Sequence, residues 1–139
     1  MKAPLLPLLL AVATLAISTP ALARSCLPYG PLKVTLSGTL ERKTFPGAPD
    51  FEDVKQGDQP ETGYYLRLPS AMCVAASAKT QQQAHDGVGE LQLVLDQAQY
   101  AHLASEIGQT VRLTGTLLEA STGHHHAPVL LKVDAIDGD

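Results

Sequence analysis

Val34-Thr35-Leu36-Ser37-Gly38-Thr39-Leu40 and Val111-Arg112-Leu113-Thr114-Gly115-Thr116-Leu117 share one pattern, V-x-L-[S/T]-G-T-L. Apolar and polar residues alternate in both, the period of a half-buried strand. Each is interrupted by glycine at the same place, and a glycine inside a strand marks a bulge or a sharp bend. Long strands that bend at glycine are what close a small barrel. Related by duplication or not, both stretches read as strands, and no duplicated domain follows from them.

Working outward, Tyr64-Tyr65-Leu66-Arg67-Leu68 alternates with Tyr64, Leu66 and Leu68 on one face, and Pro69 is expected to end that strand. Met72 to Ala75 reads as a short strand after a turn, Ala78 to Gly89 as a polar loop, and Leu91 to Leu95 as another strand. Asp96 followed by Gln99 is a capping-box pattern that opens a helix of about three turns. Tyr100, Leu103, Ala104 and Ile107 share its inner face, and Gly108 ends it. Val129 to Val133, extending toward Ile136, is the last strand. A helix between the third and fourth of five strands is the order of a small OB-like Greek-key barrel. A β-sandwich and a split α+β sheet are the rival architectures.

The chain has 139 residues, ample for one domain and too few for separate cofactor and substrate domains. Its formal charge is −4, it has no Trp, and only two Phe and four Tyr. That argues against a nucleic-acid partner, which needs clustered Lys and Arg interleaved with stacking aromatics. Met1-Lys2, an apolar run from Ala3 to about Ile17, and Ala21-Leu22-Ala23 form the n-region, h-region and A-x-A site of a secretory leader. Cleavage after Ala23 leaves a single domain over 24–139, without membrane insertion, in the periplasm or outside the cell. Two cysteines then remain, Cys26 and Cys73. In an exported chain a disulfide is the expected state, with buried thiols or a redox pair as alternatives.

Two connections carry candidate chemistry. The first runs from Thr44 to Gly63, rich in Pro, Gly and carboxylates, and holds both Phe residues, Phe45 and Phe51. A connection this long is a cover over the barrel or a recognition loop, with Phe45, Phe51, Asp58 and Glu61 as its contact residues. The second is Thr122-Gly123-His124-His125-His126-Ala127-Pro128. Three imidazoles suit Zn, Cu or Ni, a polar partner, or a hydrophilic turn. Neighbours on a strand point to opposite sides, so His124 and His126 can share a side and His125 cannot. No nucleophile elbow, zinc-protease signature, phosphate loop or dinucleotide fingerprint is present. Glu41, Glu90 and Glu119 are the carboxylates that a small hydrolase would have to use.

The stretches Gly38-Thr39-Leu40-Glu41-Arg42-Lys43-Thr44-Phe45-Pro46-Gly47, Gly57-Asp58-Gln59-Pro60-Glu61-Thr62 and Thr122-Gly123-His124-His125-His126 resemble a family of secreted bacterial proteins of unknown function. The resemblance implies a leader followed by one domain in a Gram-negative envelope and transfers no catalytic residue. More distantly, the architecture is similar to periplasmic OB-fold proteins linked to envelope stress. These readings converge on a non-catalytic module that binds an envelope protein, a peptide or a saccharide. In an OB-fold the loops after strands one and four flank one face, so the Phe45 to Glu61 and His124 to His126 segments are expected side by side. The alternative is a metal-binding protein using His124 and His126.

Overall fold

The structure is a computed structural model and describes residues 25–138. The leader expected over 1–23 lies outside the described residues. Five strands form a closed barrel: β1 (Lys33–Pro46), β2 (Pro60–Val74), β3 (His85–Val94), β4 (Thr110–Glu119) and β5 (Val129–Asp137). Their order around the barrel is β1-β2-β3-β5-β4, with β3 and β5 parallel and all other neighbours antiparallel. A helix, α1 (Gln97–Leu103), lies between β3 and β4. The chain is thus mainly β with the OB-like arrangement, and the sandwich and split-sheet alternatives fall away.

The two V-x-L-[S/T]-G stretches are partners. They pair antiparallel about Leu36↔Leu113, so Val34 faces Gly115 and Gly38 faces Val111. A Cβ on Gly38 would lie 2.5 Å from the Arg67 carbonyl oxygen and 3.0 Å from Leu66 Cγ. Gly115 lies against the backbone of Lys132, at the register shift between Thr114 and Gly115. The glycines are where neighbouring strands come too close for a side chain, and there the sheet curls shut. Alternation does the rest: Val111, Leu113 and Leu117 point inward with Leu40, Leu66, Leu91 and Val129.

Three readings of the sequence need correction. Pro69 does not end a strand. β2 runs on to Val74, its register against β3 shifting between Arg67 and Met72, where no ladder bond from a proline N–H is required. Residues 78–89 are not all loop, because β3 begins at His85. The helix buries only Leu103 completely, while Tyr100 and Ile107 are exposed. It is one short helix continued by a 3-10 turn, Ala104–Glu106, so one residue plugs the barrel end. Its start is as expected: the Asp96 carboxylate accepts the Gln99 N–H at 2.8 Å, and Gln99 returns a bond to the Asp96 N–H at 2.9 Å. Asp96→Ala should cost about 1 kcal/mol, measured as a shift of the urea midpoint.

Cys26 and Cys73 form a disulfide. It ties the first described residues beside the end of β2, where Leu27 donates to the Cys73 carbonyl and Ala75 donates to the Leu27 carbonyl. Among the described residues no helix is long and apolar enough to cross a membrane.

Candidate functional site

Residues 42–46 of β1 and 60–64 of β2 extend past the pairing of those strands with β4 and β3, and residues 47–59 join them. Gly47 N–H donates to the Gln59 carbonyl and Gln59 N–H to that of Ala48, closing the base of this connection. Asp58 is 5% exposed, and its carboxylate accepts the backbone N–H groups of Asp50, Glu52 and Asp53 at 2.7–2.9 Å. Those donors hold its carboxyl below the usual range. Asp58, expected as a contact residue, is therefore turned into its own loop. Phe51 has φ 61°, a conformation bulky residues rarely adopt, and its N–H is tied to the Gly47 carbonyl.

Residues 120–128 join β4 to β5. Ala120 donates to the Pro128 carbonyl, and His125 N–H donates to the Thr122 carbonyl, making a tight turn. The turn sends its histidines apart. His125 Nδ1 accepts the Ser121 N–H at 2.8 Å, so it serves the turn itself. His124 and His126 both reach Glu61 at the start of β2. His124 Nδ1 bonds one carboxylate oxygen, and His126 Nε2 lies 2.9 Å from the other. Both nitrogens must carry protons to make these bonds.

The two connections meet through these same residues. The Phe45 ring stacks on His126 at 4.7 Å, and Phe51 meets the His124 edge at 5.1 Å. A Cβ on Gly47 would lie 2.5 Å from Glu61 Cγ, and one on Gly123 would lie 3.0 Å from the Phe51 ring. Both loop glycines thus sit where the clamp leaves no room. From β3, Gln92 seals the turn: its amide oxygen accepts from His126 N–H at 2.6 Å and its amide nitrogen donates to the His124 carbonyl at 3.0 Å. Phe45, Phe51, Glu61, His124 and His126 are thus brought together, and Asp58 and His125 support them from either side.

Beneath the clamp lies Tyr65, only 1% exposed although it stands on the outer side of β2. Phe45 packs at 5.5 Å, and Lys43 lies over its ring at 5.8 Å. Burial, reinforced by the negative charge of Glu90, pushes its hydroxyl up to about 12. Tyr65 should therefore retain its proton beyond pH 10, so an ultraviolet titration should show one tyrosine ionising last, and Tyr65→Phe should delete that step. The phenol is held neutral in the fold. Its contribution is fully present below the ordinary tyrosine range, about pH 10, and is lost as pH rises toward the folded value.

A hollow of about 300 Å³ opens between Glu61, Gly63, Tyr65, Gln92, Tyr100 and the two histidines. A larger recess of about 550 Å³ lies beside the disulfide, lined by Leu27, Leu36, Leu68, Pro69 and Met72 together with three serines. A carboxylate and two imidazoles line the first and no ionisable side chain lines the second, and convergent groups of that kind mark a specific ligand site.

The remaining carboxylates are engaged elsewhere. Lys43 bridges Glu41 and Glu90, Arg67 also pairs with Glu41, and Glu119 lies 3.0 Å from His85 Nε2. Glu41, Asp58 and Glu61 are all held below the ordinary range, Glu61 by its hydrogen bond from His126 and then by His124. Their stabilisation is present above the unfolded carboxylate range, near about pH 4, and is lost as pH falls through their folded values. Urea midpoints measured from neutral to acid pH should drop through this window, and Glu61→Gln should flatten the drop.

Among the described residues, the only group of three or more possible metal-binding side chains with ligand atoms within 4.8 Å of one another is Cys26, Cys73 and Asp86, whose two sulfurs are bonded together. His124, Glu61 and His126 are wider apart than that as a set.

Residues 90–137 match a protein family described as Domain of unknown function (DUF4431). The match takes in Gln92, the helix, β4, the histidine turn and β5, and stops short of β1 and the 47–59 connection. No curated protein matches the chain.

Proposed function

We propose that this protein is a non-catalytic binding module whose ligand occupies the face between the 47–59 and 120–128 connections. One observation carries the reading: Glu61, held by two histidines from a turn more than sixty residues away, joins both connections at the rim of a polar hollow. Phe51, kept in a strained backbone conformation against His124, supports it, because strain of this kind persists where a site needs it. The Phe rings brace the histidines, so the ligand meets Glu61, Tyr65, Tyr100 and the exposed side of His124. The hollow has room for one side chain of a peptide or one sugar unit, as part of an envelope protein or a saccharide.

The setting we propose is the periplasm or the cell exterior, reached through the leader read in 1–23. The Cys26–Cys73 disulfide is compatible with that compartment. N-terminal mass analysis of exported protein should find Arg24 first.

The test is retention of peptide and glycan collections by immobilised protein beside His124→Ala and Glu61→Gln variants. Wild type should retain a ligand that both variants lose by about tenfold or more, since each removes a charged or hydrogen-bonding contact. Equal retention by all three, or retention by none, would overturn the reading.

The second reading is a divalent metal, Zn, Cu or Ni, favoured by the two imidazoles at one carboxylate. It requires His124 and His126 to draw closer around Glu61. A melt raised by metal at hundredfold excess over its dissociation constant, worth about 2.7 kcal/mol, and lost in His124→Ala/His126→Ala, would support it. A flat response would remove it.

A further inference from the structure

Gly63 lies inside β2, paired with Lys43, where a strand ordinarily gains from a side chain. Its φ is unremarkable, so no turn demands glycine here. A Cβ at this position would lie 3.4 Å from Tyr65 Cε2 and 3.7 Å from the Tyr65 hydroxyl. Anything larger than alanine would lie across that hydroxyl. Glycine in a strand marks a place where something else approaches closely, and here it leaves the way open to Tyr65.

The hydroxyl has a use for that opening. Tyr65 is 1% exposed, yet its hydroxyl makes no hydrogen bond to another described residue. Among the described residues no sealed side-chain polar atom lacks a partner, so this oxygen must face the hollow it lines. A nearly buried phenol with one open side is a hydrogen-bonding group reserved for a ligand.

The charge around it selects what enters. Among the described residues no lysine or arginine lines the hollow. Lys43, behind the Tyr65 ring, is held between Glu41 and Glu90, and Arg67 completes a neutral group of four. Glu61 is left as the charge on the rim. Each imidazole spends the proton that faces Glu61 on that carboxylate's own oxygens, which leaves Nε2 as the ring nitrogen His124 can turn to a ligand. Gln92 already uses both ends of its amide on the turn. The groups left to meet a ligand are one carboxylate, two phenol oxygens and an imidazole nitrogen. An anion finds few donors there. A group with several donors and positive charge is matched.

We infer that the hollow takes a primary ammonium group, the end of a lysine side chain on a peptide, seated between the Tyr65 hydroxyl and the Glu61 carboxylate through the gap at Gly63. This rests on the binding-module reading and names its ligand class. Burial is the main reason the Tyr65 hydroxyl is raised, Glu90 comes next, and Glu61 adds to it in the same direction.

The experiment is a titration of the ¹⁵N-labelled protein at neutral pH with Nα-acetyl-lysine N-methylamide, followed by amide shifts. Acetyl-norleucine N-methylamide is the uncharged control, glycinamide the chain-end amine, and acetyl-glutamate N-methylamide and glucose the other classes. The lysine probe should move Gly63, Gln92 and His126 together, and norleucine should bind at least about tenfold more weakly, having lost a charge-assisted bond. Tyr65→Phe, which removes an unpartnered hydroxyl and should keep the fold, and Gly63→Val should each abolish the response, with undisturbed spectra elsewhere. Stronger shifts from glycinamide would assign the ammonium to a chain end and overturn the lysine assignment. Equal binding of norleucine, or shifts at those amides from glutamate or glucose alone, would overturn the ammonium and leave the site standing. Silence from all probes would overturn both.

Discussion

Gly115→Val is expected to prevent the barrel from closing. A Cβ at Gly115 would fall inside contact distance of the Lys132 carbonyl oxygen and lie 2.9 Å from its carbon and 3.1 Å from Val133 Cα. These are backbone atoms of β5, paired to β4 at this register shift, so no rotamer change relieves the clash. Overpacking against side chains costs about 1–3 kcal/mol, and a clash between paired backbones should reach the top of that range or pass it. The matched control is Gly89→Ala in β3, where nothing lies within 4 Å of the added carbon. It should change stability by no more than about 0.5–1 kcal/mol. Circular dichroism melts of the two separate a steric role of glycine in the V-x-L-[S/T]-G pattern from a generic preference. Two similar melts would mean that the repeat glycines do not shape the barrel.

The Cys26→Ser/Cys73→Ser protein should lose about 4 kcal/mol, the loop-closure entropy that a 47-residue separation removes from the unfolded chain. For a domain of this size that is a fall of roughly 15 °C in Tm. The loss should be local in the folded state as well. Leu27 is joined to Cys73 and Ala75 by two backbone bonds at the end of β2, so hydrogen exchange there should rise first while β4 stays protected. An unchanged Tm would show that the segment before β1 is held by its packing and that the bridge adds nothing.

What was legible in the sequence was what local chemistry decides. The alternation and glycines of Val34 to Leu40 and Val111 to Leu117 name two strands, though only the structure shows them to be partners about Leu36 and Leu113. The Asp96 and Gln99 pair names a helix start, and both bonds are formed. What escaped was decided by distant contacts. Pro69 looks like a stop, and β2 absorbs it at a register shift. Asp86-Gly87-Val88-Gly89 has poor strand composition, and pairing with β2 overrides it. Alternation placed Tyr64, Leu66 and Leu68 inward, correctly, and so left Tyr65 outside. It is packed there under Phe45, whose ring in turn stacks on His126 of the histidine turn. Glu61 meeting His124 and His126 is likewise a property of closure, since the side-by-side loops were readable and the bonds between them were not. Gly63 was the available signal for the hollow: a glycine within a strand-like run, next to two tyrosines.

The most direct test of the central claim is where a retained ligand lands. Saturating the ¹⁵N-labelled protein with whatever the peptide and glycan collections yield should shift amides in 61–65 and 122–127, together with Gln92. Leu27, Leu36 and Met72 beside the disulfide should stay still. Shifts centred on that apolar recess, with the Glu61 clamp silent, would contradict the account.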